Sequence, residues 1–271
     1  MIRRREVQAA LQEAVSNSGF TLVYQPIVAL TSGEIAGFEA LVRWPHPQWG
    51  MMQPDQFIEL AEETGHIVPL GSWVLGQAAA EVVQWRRQRA HPAPPYVSVN
   101  VSARQFRDPG FVDGVRRVLA ETGLAPAALM LELTESVLLR RDDRIHTDLR
   151  ELKAIGVRLA IDDFGTGYSS LSYLRELPID VLKIDKSFVD GIAVSAQRLA
   201  LVEGIIRIAR TLNLAVIAEG IETEVQRDLL VDMGCQFGQG YLLAMPVAPA
   251  QAEALVRVGR SLVPELPRVS G

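Results

Sequence analysis

Residues 21–44 read Thr21-Leu22-Val23-Tyr24-Gln25-Pro26-Ile27-Val28-Ala29-Leu30-Thr31-Ser32-Gly33-Glu34-Ile35-Ala36-Gly37-Phe38-Glu39-Ala40-Leu41-Val42-Arg43-Trp44. Two apolar, strand-like runs, Thr21–Ile27 and Ile35–Trp44, are joined only by Ala29-Leu30-Thr31-Ser32-Gly33-Glu34. Parallel neighbours need a crossover of about a dozen residues or more, so these two strands are antiparallel if they pair. Beyond them the chain alternates between two periods. Strand-like runs recur at Tyr96–Val101, Leu129–Leu133, Val157–Ile161, Asp180–Ile184, Leu214–Ala218 and, more weakly, near Cys235–Phe237. Helical stretches at Gln56–Arg89, Gly110–Glu121, Asp143–Ile155, Ser195–Leu212 and Thr223–Met233 separate most of them. Eight strands with helical crossovers in 271 residues predict an α/β fold, a (β/α)₈ TIM barrel modified by one antiparallel strand, the first.

Composition narrows the class. An apolar fraction of 48% with 22% charged residues excludes a disordered, collagen-like or coiled-coil chain. A single cysteine, Cys235, excludes an intrachain disulfide and a cysteine-based zinc site, and it reads as a small buried hydrophobe. No apolar run approaches the roughly 18 residues of a membrane span, and the start, Met1-Ile2-Arg3-Arg4-Arg5, leads into an amphipathic stretch rather than a signal-peptide core. The expectation is a cytoplasmic chain without membrane insertion. Residues 1–257 are expected to form one domain, with 258–271 a C-terminal tail open to disorder. The net charge of −5 argues against a grip on long nucleic acid. Arg3-Arg4-Arg5 and Arg86-Arg87-Gln88-Arg89 read as solvated helix faces. An anionic ligand would need a local cation.

In a barrel of this kind chemistry sits at the carboxyl ends of the strands. Those ends are unusually polar: Phe38-Glu39-Ala40-Leu41-Val42-Arg43, Ser98-Val99-Asn100-Val101-Ser102, Leu131-Glu132-Leu133-Thr134-Glu135, Leu159-Ala160-Ile161-Asp162-Asp163-Phe164-Gly165, Val181-Leu182-Lys183-Ile184-Asp185 and Val216-Ile217-Ala218-Glu219-Gly220. Taken singly, each acid reads as a helix cap or an ion-pair partner, and Asp162-Asp163 before glycine as a turn. Together they would repel strongly at one barrel mouth unless a cation neutralises them. The donors Glu39, Asn100, Glu132, Asp162, Asp163 and Glu219 are all oxygen, and the four histidines (His46, His66, His91, His146) are scattered. Hard donors select Mg²⁺, Mn²⁺ or Ca²⁺. Six are more than one Mg²⁺ takes, and two ions about 3.5–4 Å apart sharing a carboxylate fit better, the arrangement used in phosphodiester hydrolysis. Lys183, inside an apolar strand, is costly if unpaired. It reads either as an ion-pair partner of Asp185 on the same strand face or as an amine beside an attacking water. Arg43 shares a strand face with Glu39 and Leu41 and supplies the cation a phosphate would require.

These motifs closely resemble the EAL-domain family, from about Val7 to Val256. The resemblance rests on an ordered set: Tyr24-Gln25-Pro26-Ile27, Glu39-Ala40-Leu41-Val42-Arg43-Trp44, Val99-Asn100-Val101-Ser102, Glu132-Leu133-Thr134-Glu135, Asp162-Asp163-Phe164-Gly165-Thr166-Gly167-Tyr168-Ser169-Ser170-Leu171, Lys183-Ile184-Asp185, Glu219-Gly220-Ile221-Glu222-Thr223 and Gly238-Gln239-Gly240-Tyr241-Leu242. It implies a bacterial cyclic di-GMP phosphodiesterase that forms linear pGpG with Mg²⁺ or Mn²⁺, two ions per site. It also implies Glu39, Asn100, Glu132 and Asp162 as ligands of one metal, Asp162 as the bridge, and Asp163 and Glu219 on the second metal. By the same resemblance Lys183 orients or deprotonates the nucleophilic water, with Glu219 and Gln239 in the catalytic set. Gln25, Leu41, Arg43, Asn100, Asp163 and Gln239 are implied as substrate contacts. Glu135 is implied to hold the loop over 163–171, which tends to link the site to a homodimer interface.

Every matched metal-ligand position keeps its expected type. Gln236, where an Asp often follows Gly-Cys, and Leu243-Ala244-Met245-Pro246, without the basic residue often found before that proline, depart from the pattern. A non-catalytic cyclic di-GMP receptor is the alternative, and a dimerising interaction module built on residues 168–174 a third reading. Trp44, Trp49, Trp73 and Trp85 read as packing residues, with Trp44 the one placed to stack on a base.

Overall fold

The structure is a computed structural model describing residues 4–17, 19–87, 95–138, 143–165 and 174–258. Its strands are β1 (Thr21–Ala29), β2 (Ile35–His46), β3 (Gly50–Met52), β4 (Tyr96–Val101), β5 (Leu129–Thr134), β6 (Arg158–Phe164), β7 (Val181–Ile184), β8 (Ala215–Ala218) and β9 (Phe237–Gly238). Strands β2, β4, β5, β6, β7, β8 and β9 run parallel in that order, and β1 closes the ring between β9 and β2, antiparallel to both. This is the eight-stranded barrel with a reversed first strand that the short link at residues 29–34 requires. Pairing runs from Thr21 opposite Arg43 to Gln25 opposite Glu39 and Ile27 opposite Gly37. The extra strand, β3, lies outside the ring as a hairpin partner of the end of β2, with Trp44 opposite Met52.

One expected helix is divided and two further helices occur at the ends. The stretch over 56–89 divides into Ile58–Thr64 and Ile67–Arg87, because Gly65 takes a left-handed φ of 83° that ends the first helix. The amphipathic start is a helix, Arg4–Ser16, burying Val7, Leu11 and Ala14. The C-terminal segment is helical over Pro249–Val258, burying Ala252 and Val256. The tail at 259–271, the turn at 88–94 and most of the expected interface stretch, 166–173, lie outside the described residues.

Period-two alternation sends one set of side chains outward against the helices and the other into the lumen. Outward, Trp85 packs edge-on against Tyr24 and Phe38, with ring centres 4.7 and 5.3 Å apart. Trp44 is buried against Phe20 and Phe57, both at 5.6 Å, so it packs rather than stacks on a ligand. Inward, Ile27, Tyr96, Met130, Ala160, Val181 and Ile217 form a separate apolar cluster, the floor of the barrel. The Arg158 guanidinium covers the Tyr96 ring at 4.5 Å. That ring occupies the space a side chain at residue 37 would need: a Cβ on Gly37 would stand 2.7 Å from it.

Gly37→Ala forces this contact in a closed lumen. Overpacking costs about 1–3 kcal/mol, so urea unfolding is expected to show a loss of that size, without loss of barrel secondary structure by circular dichroism.

Candidate active site

The same alternation that builds the apolar floor places the polar residues one layer higher. Ser98 and Asn100 follow Tyr96 on β4, Glu132 follows Met130 on β5, Asp162 follows Ala160 on β6, and Lys183 follows Val181 on β7. Glu39 enters from β2, opposite Gln25 of β1, and Glu219 and Gln239 emerge just past β8 and β9. Adjacent residues of a regular strand face opposite ways, so Asp162 and Asp163 should diverge. They do not, because the β6–β7 register shifts between Ile161 and Phe164 and Asp163 adopts φ 55°. This bulge turns the second aspartate toward the mouth.

Lys183 is the centre of the site. Its ammonium is 1% exposed and lies 2.6 Å from Glu132 Oε2, 2.6 Å from Glu219 Oε1, 3.2 Å from Asp162 Oδ1 and 3.7 Å from Glu39 Oε2. It does not pair with Asp185, whose Oδ1 accepts a hydrogen bond from the Ser187 backbone N–H at 3.0 Å and caps the helix Lys186–Val189. Burial disfavours charge on Lys183, but Asp162, Glu132, Glu219 and Glu39 outweigh it and raise its pKa well above the usual lysine value. Gln239 Nε2 donates to Glu39 at 2.6 Å and Glu219 at 3.0 Å, and Asn100 Nδ2 donates to Glu39 Oε1 at 2.6 Å. Asn100 thereby keeps its carbonyl oxygen for another partner.

One ammonium faces four carboxylates, and two of these, Glu132 and Glu219, hold their protons more tightly than ordinary glutamates. Burial raises Glu132 well above the ordinary glutamate value despite Lys183. Burial likewise pushes Glu219 up to about 8. Asp163 is raised by burial and then by Asp162 and Asp185. The carboxylates of Asp162, Asp163 and Glu219 offer oxygens within 4.8 Å of one another. A divalent cation suits this all-oxygen, negatively charged donor set. The buried Gln239 Oε1 has no hydrogen-bond partner among the described residues, consistent with a position awaiting a ligand.

Around the mouth, Glu135 Oε2 accepts a hydrogen bond from the Gly165 N–H at 3.0 Å, at the start of the loop expected to depend on it. Arg43 is half-buried, bonds only the Val42 carbonyl at 2.8 Å and takes part in no described ion pair. Burial lowers its pKa, with Tyr241 and Glu39 opposing. Leu41 lines a largely apolar cavity of about 310 Å³ with Pro54, Ile58 and Ile67, reaching Asn100 and Glu132. Gln25 lines a smaller recess with Lys186, Glu219, Glu222, Gln239 and Tyr241. Gln236 serves the barrel wall instead: its Oε1 accepts from the Val216 N–H at 2.8 Å. Residue patterns had not singled out Ser98, whose hydroxyl donates to Glu132, nor Tyr241 and the Lys186–Glu222 ion pair at the rim. Alternation backward from Asn100 was the available signal for Ser98. For the rim residues, far apart in sequence, the only signal was that Glu222 and Tyr241 lie within quoted motifs and Lys186 directly follows one.

The chain matches the EAL domain family over residues 8–246 and belongs to it. It is 45% identical over 246 residues to the bifunctional diguanylate cyclase/cyclic di-GMP phosphodiesterase MucR of Pseudomonas aeruginosa, covering 91% of this chain and 36% of that protein. It is 41% identical over 249 residues to the cyclic di-GMP phosphodiesterase PA2567 of the same organism, covering 92% of this chain and 42% of that protein. The chain thus spans well under half the length of these curated relatives. A solved structure of the PaMucR phosphodiesterase in complex with c-di-GMP matches with a TM-score of 0.87 at 43% identity, covering 91% of this chain and 99% of that one. Among the described residues, no helix is long and apolar enough to cross a membrane.

Two outcomes follow from the electrostatics. Glu219 retains a proton in the folded state that the unfolded chain releases, so its contribution to stability falls as pH climbs from about 4.5 to about 8. Lys183, raised above 10.5, adds no opposing slope in that range. Urea unfolding in chelator is expected to show stability declining across this window, with a shallower decline for Glu219→Gln. Lys183→Met leaves four carboxylates facing one another. Breaking a buried ion pair costs about 3–5 kcal/mol, and the same assay should show a loss of that order.

Proposed function

We propose that the chain hydrolyses cyclic di-GMP to linear pGpG with two divalent cations, Mg²⁺ or Mn²⁺. The observation that carries this reading is the convergence of Asp162, Asp163 and Glu219 within 4.8 Å, beside a buried Lys183 shared among four carboxylates. The likeness to a phosphodiesterase solved with c-di-GMP supports the choice of substrate. Glu39, Asn100, Glu132 and Asp162 would hold one cation. Asp162, as the bridge, would hold the second with Asp163 and Glu219. When bound, such ions lower the pKa of water and offset charge on the phosphoryl oxygens in an in-line displacement.

The chain's own residues do the rest. Lys183 stands within reach of Asp162 and Glu219, and its raised pKa keeps it charged, so it orients the attacking water rather than taking its proton. Gln239, donating to Glu39 and Glu219, holds those carboxylates in register and presents its free Oε1 to the same water network. Arg43, which pairs with no carboxylate among the described residues, provides the cation for a phosphate oxygen at the rim. The apolar cavity beside Leu41 offers a flat purine a dry wall, while Gln25 borders the opposite recess. Glu135 holds the backbone two residues past Asp163 by accepting from the Gly165 N–H.

The test is incubation with cyclic di-GMP and Mn²⁺, with and without EDTA, reading out pGpG. Metal-dependent linear product is expected, and Glu39→Ala and Asp162→Ala are each expected to reduce turnover at least about 10³-fold, beyond the 10–100-fold typical of losing a mere outer partner of a ligand. Substantial turnover by Asp162→Ala removes it as the bridge. Tight binding with no product at any metal concentration marks a receptor instead.

A further inference from the structure

Glu132 is the most enclosed carboxylate of the site: it is 1% exposed and sits directly above the apolar floor. Its two oxygens have different partners. Lys183 donates to Oε2 at 2.6 Å, and the Ser98 hydroxyl donates to Oε1. Ser98 has no solvent exposure. It is flanked along β4 by Val97 and Val99, which face outward into the main core, and it stands between Tyr96 of the floor and Asn100 of the mouth. No other donor to Glu132 occurs among the described hydrogen bonds, so the orientation of this carboxylate depends on two groups at its two ends.

Lys183 cannot do this alone. Its donors are already divided among Glu132, Glu219 and Asp162. If Oε1 lost its donor, the nearest alternative is a forked contact of both Glu132 oxygens with Lys183. That would rotate the carboxylate and draw the ammonium from Glu219 and Asp162 toward the floor. Resting on the assignment of Glu132 to a cation, we infer that Ser98 is a positioning residue. Its hydroxyl holds the Glu132 carboxylate in the one orientation that serves the cation site while leaving Lys183 engaged with the mouth. Ser98 touches neither substrate nor the reacting atoms and acts only through Glu132. Hydrogen-bonded outer partners of ligating carboxylates are worth about 10–100-fold in affinity or activity, which sets the size of the effect.

The experiment compares the whole chain with Ser98→Ala and Ser98→Cys. It uses Mn²⁺ affinity by calorimetry without substrate, kcat and KM for cyclic di-GMP hydrolysis, and thermal unfolding in chelator. For folded Ser98→Ala, Mn²⁺ affinity and kcat should each fall about 10–100-fold while KM stays within about threefold. Ser98→Cys, keeping a weak donor, should lie between it and the parent. A residue that only fills space would shift the melting temperature without this kcat-selective loss. A folded Ser98→Ala with unchanged Mn²⁺ affinity and kcat overturns the inference. Should Ser98→Ala fail to fold, a Ser98→Cys protein equal to the parent in both overturns it. A parent that neither binds Mn²⁺ nor forms linear product overturns the functional reading, and the inference with it. A working parent beside an unaffected Ser98 variant overturns the inference alone.

Discussion

The structure turns on one ammonium group. Lys183 Nζ stands within 3.7 Å of Glu39, Glu132, Asp162 and Glu219 in a site closed to water from below. Buried carboxylates repel and lose hydration, so four of them near one another are tolerable only around a cation. Lys183 supplies one charge and the carboxylates bring four. Burial first, and the neighbouring carboxylates after it, make Glu132 and Glu219 hold protons well above their usual pH, Glu219 up to about 8. The carboxylates gathered at this barrel mouth form an all-oxygen donor set that suits a divalent cation. Under the proposed function, the net charge of −5 is compatible with an anionic nucleotide, because the ligand would meet cations rather than a basic groove.

The barrel makes that concentration of charge affordable by separating it from everything else. Apolar side chains plug the lumen beneath it, with Tyr96 laid over Gly37. The outward faces of the same strands feed a continuous core under the helices. Each strand therefore carries two programmes at once, apolar outward and, at its carboxyl end, polar inward. The reversed β1 does not break this scheme. An antiparallel strand still alternates with period two, so Gln25 reaches the lumen opposite Glu39 just as a parallel neighbour would.

The membership in the EAL family and the likeness to PaMucR agree with this geometry.

Much of this was legible in residue order. The six-residue link at 29–34 dictated the antiparallel β1, since no crossover of that length can return a strand in parallel. Oxygen donors at successive strand ends pointed to a hard-cation site. Other features depended on the assembled barrel. A lysine two residues from Asp185 looks paired within its own strand. Closure instead places Glu132, Asp162 and Glu219 around its amine and turns Asp185 into a helix cap. Consecutive aspartates in a strand should face opposite ways, and only the bulge and the left-handed Asp163 bring both to the mouth. The short terminal helices were missed because their stability comes from packing a few residues such as Leu11 and Val256 onto the barrel, not from local pattern. Local sequence determined which faces each strand presents, because alternation is a property of the chain. Which polar groups meet was decided by the closed ring, because their separation in sequence reaches 200 residues between Glu39 and Gln239.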